Sequence, residues 1–349
     1  MSWEKMLEDY EVMIEDRLKR YFREIESEAY EYHPFISQLY SKLKEYTLRR
    51  GRRIVSCSTL LTYKGYTGKV DNEILNICAG IEIYRHCILI HDDLIDMDIS
   101  RRGGKTLHKV LMEYHDSRFG EGTAVFLGNI AFALASNLFL HSGFSNEKVV
   151  KSLSLLSDGY REVNESQVLD LLFEYKTDVD VDEWRVMASK RAASLFKVTI
   201  LTGATLGDAP TEDLMRLEEA AVNIGYAFDI QDDIIDTFAE KEVYGRNPCG
   251  DISLKKKPLH VILTLNSKDN KRSRTLRFFQ GKKPLNRQDI TKIREAIRES
   301  GGLESAKKIS KKHAEKAKKL LKKTSLSNDV KKFFCLFIDY IEESLEWYK

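Results

Sequence analysis

The pentapeptide Asp-Asp-x-x-Asp occurs twice, as Asp92-Asp93-Leu94-Ile95-Asp96 and as Asp232-Asp233-Ile234-Ile235-Asp236, each time at the end of a long apolar segment. No other feature restricts the fold as strongly. The segments that carry the motifs, 74–96 and 219–238, are apolar on most sides of a helix and read as buried. On a helix, residues i and i+4 share a face, so Asp92 pairs with Asp96 and Asp232 with Asp236. Like charges at that spacing cost about a few tenths of a kcal/mol when exposed and much more when buried. Something cationic has to offset that repulsion. Clustered hard oxygens suit Mg²⁺, which keeps several waters and shares its shell with phosphates. One such match would read as an acidic face in water. Two copies, both at apolar helix ends, favour a metal–diphosphate site.

Five prolines in 349 residues leave long intervals free of breakers, and the apolar spacing fills them with a helical period. Leu303, Ala306, Ile309/Ser310, Ala314, Ala317 and Leu320/Leu321 recur at three and four residues, as do Val330, Phe333/Phe334, Phe337, Tyr340/Ile341 and Leu345. Residues 122–140, with small side chains that permit close contact, form a third central segment beside the two that carry aspartates. There is no series of alternating strands and no hairpin dipeptide between apolar runs. The expected fold is all-α, a helical bundle around those three segments, formed by one domain over 1–349. Loops are expected near 100–106, 141–146, 240–258 and 280–286.

Lys and Arg number 56 against 54 Asp and Glu, a net charge of +2, so no global grip on nucleic acid is indicated. The lysine-rich run at 306–323 reads as the solvated face of an amphipathic helix. No uninterrupted run approaches the roughly 20 apolar residues of a membrane span. The acidic, periodic start does not look like a secretion signal, and a cytoplasmic location is expected. Five scattered cysteines without a CxxC pair read as free thiols in a reducing compartment, with no structural zinc.

The motifs fall in an order that resembles the trans-isoprenyl diphosphate synthases, the polyprenyl synthetase family, over roughly Arg49 to Pro258. HDDLIDMD followed by Arg101-Arg102-Gly103 looks like that family's first aspartate-rich motif and its arginine pair, and FDIQDDIID looks like the second. Gly51-Arg52-Arg53 stands where the family has GKR or GKK. His108 follows the arginine pair at family spacing, and Lys190 takes the place of the lysine in KTA-LF. Asp251 and Lys256 lie in the loop after the second motif.

The resemblance implies an isoprenoid synthase-type bundle around a central cavity, with both motifs holding about three Mg²⁺ on an allylic diphosphate. Asp92, Asp96 and Asp232 would be the principal ligands, with Asp93, Asp233 and Asp236 as direct or supporting partners. Arg101, Lys190 and Lys256 would neutralise the allylic diphosphate. Arg52, Arg53 and Arg102 would hold isopentenyl diphosphate. The implied reaction condenses the two in trans, head to tail. Homodimers are usual in the family.

Departures gather on the acceptor side. Val55 stands where GKRxRP has its second arginine, with Ser56 in place of the proline. Arg85 occupies the position of a histidine that binds isopentenyl diphosphate, and its guanidinium could supply the charge that Val55 removes. Asp229 replaces the glutamine of the family's FQ pair within the substrate-binding set, and Arg191 replaces the threonine after Lys190. Cys87 and Ile88, five and four residues before Asp92, lack the aromatic that stops elongation in many short-chain members. Tyr84, about 12 Å below Asp92 by helical rise, is the expected floor and predicts a product of roughly C20 or C25. The alternatives are a non-catalytic or partner-dependent subunit, a related prenyltransferase with another acceptor, a terpene cyclase and a helical binding protein. Subunits without activity commonly lose an aspartate motif and cyclases usually alter the second one; this chain keeps both.

Overall fold

Long breaker-free intervals do fold as helices. The computed structural model describes residues 2–49, 51–240, 247–268 and 270–345. The chain runs through α1 (Glu8–Tyr32), α2 (Pro34–Leu48), α3 (Ile54–Thr67) and α4 (Asn72–Ile95), then the two-residue strands β1 (Ser100–Arg101) and β2 (Gly104–Lys105). It continues through α5 (Leu107–Met112), α6 (Ser117–Leu140), α7 (Asn146–Tyr175), α8 (Val181–Ala188), α9 (Ala192–Leu206) and α10 (Thr211–Phe238). The remaining helices are α11 (Gly250–Ser253), α12 (Leu259–Leu265), α13 (Asn270–Phe279), α14 (Arg287–Glu299), α15 (Gly302–Lys322) and α16 (Asn328–Ser344). The loops expected near 141–146 and 280–286 lie between these elements, whereas 100–106 holds β1 and β2 and 240–258 holds α11, with 241–246 outside the described residues.

Contacts divide the chain into two compact units. The first comprises Met1–Leu156, Thr199–Pro210 and Leu326–Val330, and the second Ser157–Val198, Thr211–Ser325 and Lys331–Lys349. In the first, α4 packs along α6, with α1, α3 and α5 against them. Asp71 caps α4 by accepting from the Ile74 amide at 3.0 Å, satisfying one of the donors a helix start leaves open. Ala124, Leu127, Gly128, Ala131, Leu134, Ala135 and Leu138 repeat at helical spacing on the buried face of α6.

By length and mean hydropathy, α4 and α6 could each cross a membrane. The contrary expectation rested on uninterrupted apolar runs, and neither helix has one. The most apolar window of α4 is 72% buried within the protein, as a core helix would be, whereas that of α6 is 44% buried. Val125, Phe126 and Leu140 of α6 are exposed.

The β1–β2 ribbon corrects the expectation of no hairpin. Ser100 pairs with Lys105 and Arg101 with Gly104, so only Arg102 and Gly103 turn the chain. Their φ values of 52° and 79° are both left-handed, as tight hairpin loops require. The dipeptide Arg-Gly hides this turn because the first position usually takes Asn, Asp or Gly.

In the second unit α10 packs along α15. The buried face of α15 carries Leu303, Ala306, Ser310, Ala314, Ala317 and Leu321, in the expected register, while Lys308, Lys311, Lys312, Lys316 and Lys319 face water. Phe333, Phe334, Phe337, Ile341 and Leu345 bury the face expected of the last helix. All five cysteines are free thiols, four of them buried.

Candidate active site

The first motif closes α4, with Asp96 as its C-cap. Carboxylates there meet the negative end of the helix dipole, which adds to their mutual repulsion. The hairpin supplies the answer. Arg101 Nε donates to Asp93 Oδ1, and Arg101 Nη2 lies 3.3 Å from Asp92 and 3.6 Å from Asp98. Tyr46 of α2 donates to the other oxygen of Asp93 at 2.5 Å. Burial lowers the Arg101 pKa, but Asp93 and Asp92 outweigh it and hold the guanidinium above its ordinary value. Asp93 is therefore buried at 1% exposure, while Asp92 keeps 24% of its side chain in reach of solvent.

Arg49 holds the hairpin in place. Its guanidinium donates to the carbonyls of Arg101 (3.2 Å) and Lys105 (2.8 Å) and lies over the Tyr46 ring at 5.1 Å. Gly51 is needed nearby: its φ of 153° disfavours a side chain, and a Cβ there would stand 2.9 Å from Arg102 Cζ.

Deeper in the first unit lies a buried arginine cluster. Glu82, 1% exposed, accepts from Arg53 Nη1 at 3.2 Å and from Ser56 at 2.7 Å. Arg53 also reaches Glu15 at 3.6 Å, so its charge is committed within the protein. Arg52 pairs with Glu11 at 3.3 Å and stays largely exposed. Arg102 Nη1 approaches His86 Nε2 at 3.5 Å. Burial, and next Arg85, push Arg102 down to about 10. Burial also lowers Arg85; Glu82 opposes this, while Arg101 and Arg53 add to it. Crowded, desolvated guanidinium groups of this kind favour an anion. Tyr84 and Cys87 are fully buried, Ile88 partly so, and the Tyr84 ring meets Phe132 of α6 at 6.4 Å.

The second motif lies in the last two turns of α10. Here Asp232 is exposed, whereas Asp229, Asp233 and Asp236 are each 6% exposed. Arg191 forks across the buried pair, with Nε 2.7 Å from Asp229 and Nη2 3.1 and 3.0 Å from the two oxygens of Asp233. Its Nη1 is 3.9 Å from Asp170 of α7. Burial again opposes the charge, and Asp229, Asp233 and Asp170 overcome it, holding Arg191 well above the usual value. Gly225 permits this: a Cβ there would lie 2.4 Å from Ala193 Cα, so the start of α9 can press against α10. Asp236 accepts from the Asp251 amide at 3.2 Å; burial and then the Asp251 carboxylate raise its pKa well above the ordinary range. Lys256 lies 3.4 Å from Asp170 and 4.0 Å from Asp251. Lys190 pairs with Glu165.

The structure thus brings Asp92, Asp93, Arg101 and Asp98 together, Arg53 with Glu82, and Asp229, Asp233, Arg191 and Asp170 together. Sequence reading missed Tyr46, Glu82 and Asp170. The one signal available was an acid inside an apolar run, as in GIEIY and VLDLLF, where burial demands a partner. Among the described residues, no three His, Cys, Asp or Glu side chains form a closed metal cage. Each motif instead offers hard oxygens in pairs. That fits Mg²⁺, which binds through one or two carboxylates and completes its shell with waters and phosphates.

Fold and charge together define a class of all-α protein that gathers carboxylates and guanidinium groups on apolar helices, a set suited to diphosphates and divalent cations. The chain belongs to the polyprenyl synthetase family, whose model matches residues 37–297. It is 30% identical over 284 residues to a short chain isoprenyl diphosphate synthase of Methanocaldococcus jannaschii, covering 81% of this chain and 83% of that one. A geranylfarnesyl diphosphate synthase of Aeropyrum pernix is 28% identical over 301 residues, covering 85% and 91%. The crystal structure of geranylgeranyl pyrophosphate synthase from Corynebacterium glutamicum, complexed with isoprenyl diphosphate and magnesium, superposes with a TM-score of 0.89. At 22% identity over 95% of this chain and 97% of that one, it shares the fold.

Proposed function

We propose that the protein is a divalent-metal-dependent prenyltransferase that condenses isopentenyl diphosphate with an allylic diphosphate to give a product of C20 or C25. The observation that carries this reading is the repeated pattern of an accessible first aspartate, Asp92 or Asp232, beside a buried second aspartate clamped by arginine. Similar proteins named geranylfarnesyl and geranylgeranyl diphosphate synthases support the size. The two units act as one catalytic domain in this reading, since three of their five boundaries in sequence fall inside helices, in α7, α9 and α16.

Asp92, Asp96, Asp232 and Asp236 would hold the metal, with Asp93 and Asp233 orienting them. When bound, the metal draws charge onto the departing diphosphate and orients both substrates, an effect worth about several kcal/mol. Arg101, Lys190 and Lys256 add positive charge where negative charge develops. Arg52, Arg53, Arg85 and Arg102 form the acceptor side; Arg85 and Arg102 take the isopentenyl diphosphate while Arg53, tied to Glu82, fixes the floor beneath them. The allylic C–O bond breaks and its electron pair leaves with diphosphate. The double bond of isopentenyl diphosphate then attacks the cation, and the released diphosphate takes the proton. Apolar α4 and α6 side chains keep water from the cation. Tyr84, braced on Phe132, ends the channel below Asp92 and Ile88.

The test is radiolabelled isopentenyl diphosphate incorporation with Mg²⁺ and allylic primers, with products sized after dephosphorylation. A ladder ending at C20 or C25 supports the reading, and dominant C15 refutes the length. No incorporation, with Mg²⁺-dependent primer binding retained, would favour a partner-dependent subunit or another acceptor. Arg85→Ala should raise KM for isopentenyl diphosphate about tenfold or more, the loss of one charge-assisted contact, and leave primer KM nearly unchanged. Equal loss for both would exclude that assignment. We further propose a homodimer seated on the exposed α6 face, with Phe126, 68% exposed, at its centre. Phe126→Glu should then convert the sedimenting species from dimer to monomer.

A further inference from the structure

Asp229 and Arg191 both stand where the family pattern has uncharged residues, and the structure joins them at 2.7 Å. The same guanidinium takes both oxygens of Asp233, so one cation bridges two buried acids one turn apart on α10. Helical geometry sets the layout. At about 100° per residue, Asp232, Asp236, Asp229 and Asp233 span an arc of roughly 100°. Arg191 covers the edge formed by Asp229 and Asp233, and Asp232, on the opposite edge, is exposed.

We propose that Arg191 is a tethered cation that takes the charge-neutralising place of a divalent ion on the Asp229–Asp233 edge of the second motif, leaving Asp232 and Asp236 as the metal-facing pair. A guanidinium is planar, permanently charged and matched in shape to carboxylates, so it can hold this edge together before any metal arrives. Without it, two like charges one turn apart would share a buried helix face. Arg191 is thus a positioning residue that limits how many divalent ions the second motif takes and fixes which carboxylates receive them. The inference rests on the metal-dependent function proposed above.

The experiment is thermal unfolding of the full chain in EDTA, in MgCl₂ titrated alone, and in MgCl₂ with inorganic diphosphate, for wild type, Arg191→Thr, Arg191→Lys and Arg191→Thr/Asp229→Gln. Arg191→Thr should lose about 5–15 °C of Tm in EDTA, the effect of breaking a buried ion pair. Mg²⁺ alone should restore much of that loss and raise its Tm by at least twice the wild-type shift. The double variant, with one acid fewer, should fall between. An identical Mg²⁺ shift in wild type and Arg191→Thr would make Arg191 an ordinary structural ion pair and overturn the inference. If Arg191→Thr does not fold, Arg191→Lys decides. Lysine cannot fork across both acids, so its Mg²⁺ midpoint should fall several-fold, and an unchanged midpoint overturns the inference. A wild type that ignores Mg²⁺ plus diphosphate would instead remove the functional reading on which it rests.

Discussion

The two aspartate motifs share a five-residue pattern and differ in almost everything around it. The first ends α4 in a partly solvated setting, and its clamp, Arg101, arrives on β1, just before the two-residue turn and only five residues beyond Asp96. The second lies in α10 with Asp233, Asp236 and the neighbouring Asp229 buried, and its clamp, Arg191, comes from 38 residues before Asp229. Yet the division of labour matches: the first aspartate is accessible, and the second is held by arginine. A local motif therefore specifies spacing along a helix, and the clamp decides which oxygens remain for a ligand.

The largest expected effect breaks that parallel directly. Asp92→Ala and Asp232→Ala should each lower kcat about 10²–10⁴-fold, since a lost metal ligand removes several kcal/mol of transition-state stabilisation. Asp93→Ala and Asp233→Ala should instead act mainly on stability, by stranding a buried Arg101 or Arg191, with urea unfolding as the readout. If Asp93→Ala matched Asp92→Ala in kcat and unfolded like wild type, the division of labour would be wrong.

Next in size is Glu82→Gln. It leaves Arg53 buried at 4% exposure without its carboxylate, and the loss should be about 3–5 kcal/mol in urea unfolding. The Arg49–Glu45 pair beside the hairpin is open to water on its acidic side, so Arg49→Ala, whose partner Glu45 is exposed, should cost much less.

Acid sharpens the contrast further. Burial is the first cause acting on both members of the Glu82–His86 pair, with opposite outcomes. Burial raises Glu82, but Arg53 and His86 overcome it and bring it to about 2; burial lowers His86 to about 3, against the pull of Glu82. A depressed carboxylate contributes stability above its unfolded value near 4.5, and that stability is lost as pH falls toward 2. A histidine kept neutral is also a liability in acid, because below pH 6.5 the unfolded chain binds the proton first. Both effects have the same sign but different windows, so the urea midpoint should fall below about pH 6.5 with the histidine and go on falling below about pH 4.5 with the carboxylate. His260, lowered to about 3 by burial alone, does the same in the second unit. His86→Gln should flatten part of that slope, and an unchanged slope would contradict the assignment.

Much of this was legible in sequence, and the part that was not has a common cause. The core register of α15 and α16 was readable because periodicity is local, and the aspartate motifs were readable because repetition is visible. Tyr46, Glu82 and Asp170 were hidden because each acts through a partner far away in the chain, such as Asp93, 47 residues from Tyr46. The Arg102–Gly103 hairpin was hidden for a different reason: its turn places a non-glycine residue in a left-handed conformation, which tertiary contacts must impose.

Tyr46 gives the smallest expected effect and the finest test of the comparison. Its hydroxyl donates to Asp93 at 2.5 Å, its ring meets His86 edge-on at 5.7 Å, and Arg49 lies over its face. Tyr46→Phe keeps the ring contacts and removes only the donor. Among the described residues no phenol takes this role at the second motif, where Arg191 serves both oxygens of Asp233. Losing one hydrogen bond to a charged group should cost about 1.5–3 kcal/mol. The lower end is expected here, because Arg101 stays in place and compensates part of the charge. If the hydroxyl only stabilises, kcat and KM should stay near wild type while the urea midpoint falls. If it also aims Asp93, and through Arg101 the accessible Asp92, the Mg²⁺ concentration giving half-maximal rate should rise as well. A raised Mg²⁺ requirement in Tyr46→Phe would show that the first motif depends on a tyrosine for the alignment that the second obtains from one arginine.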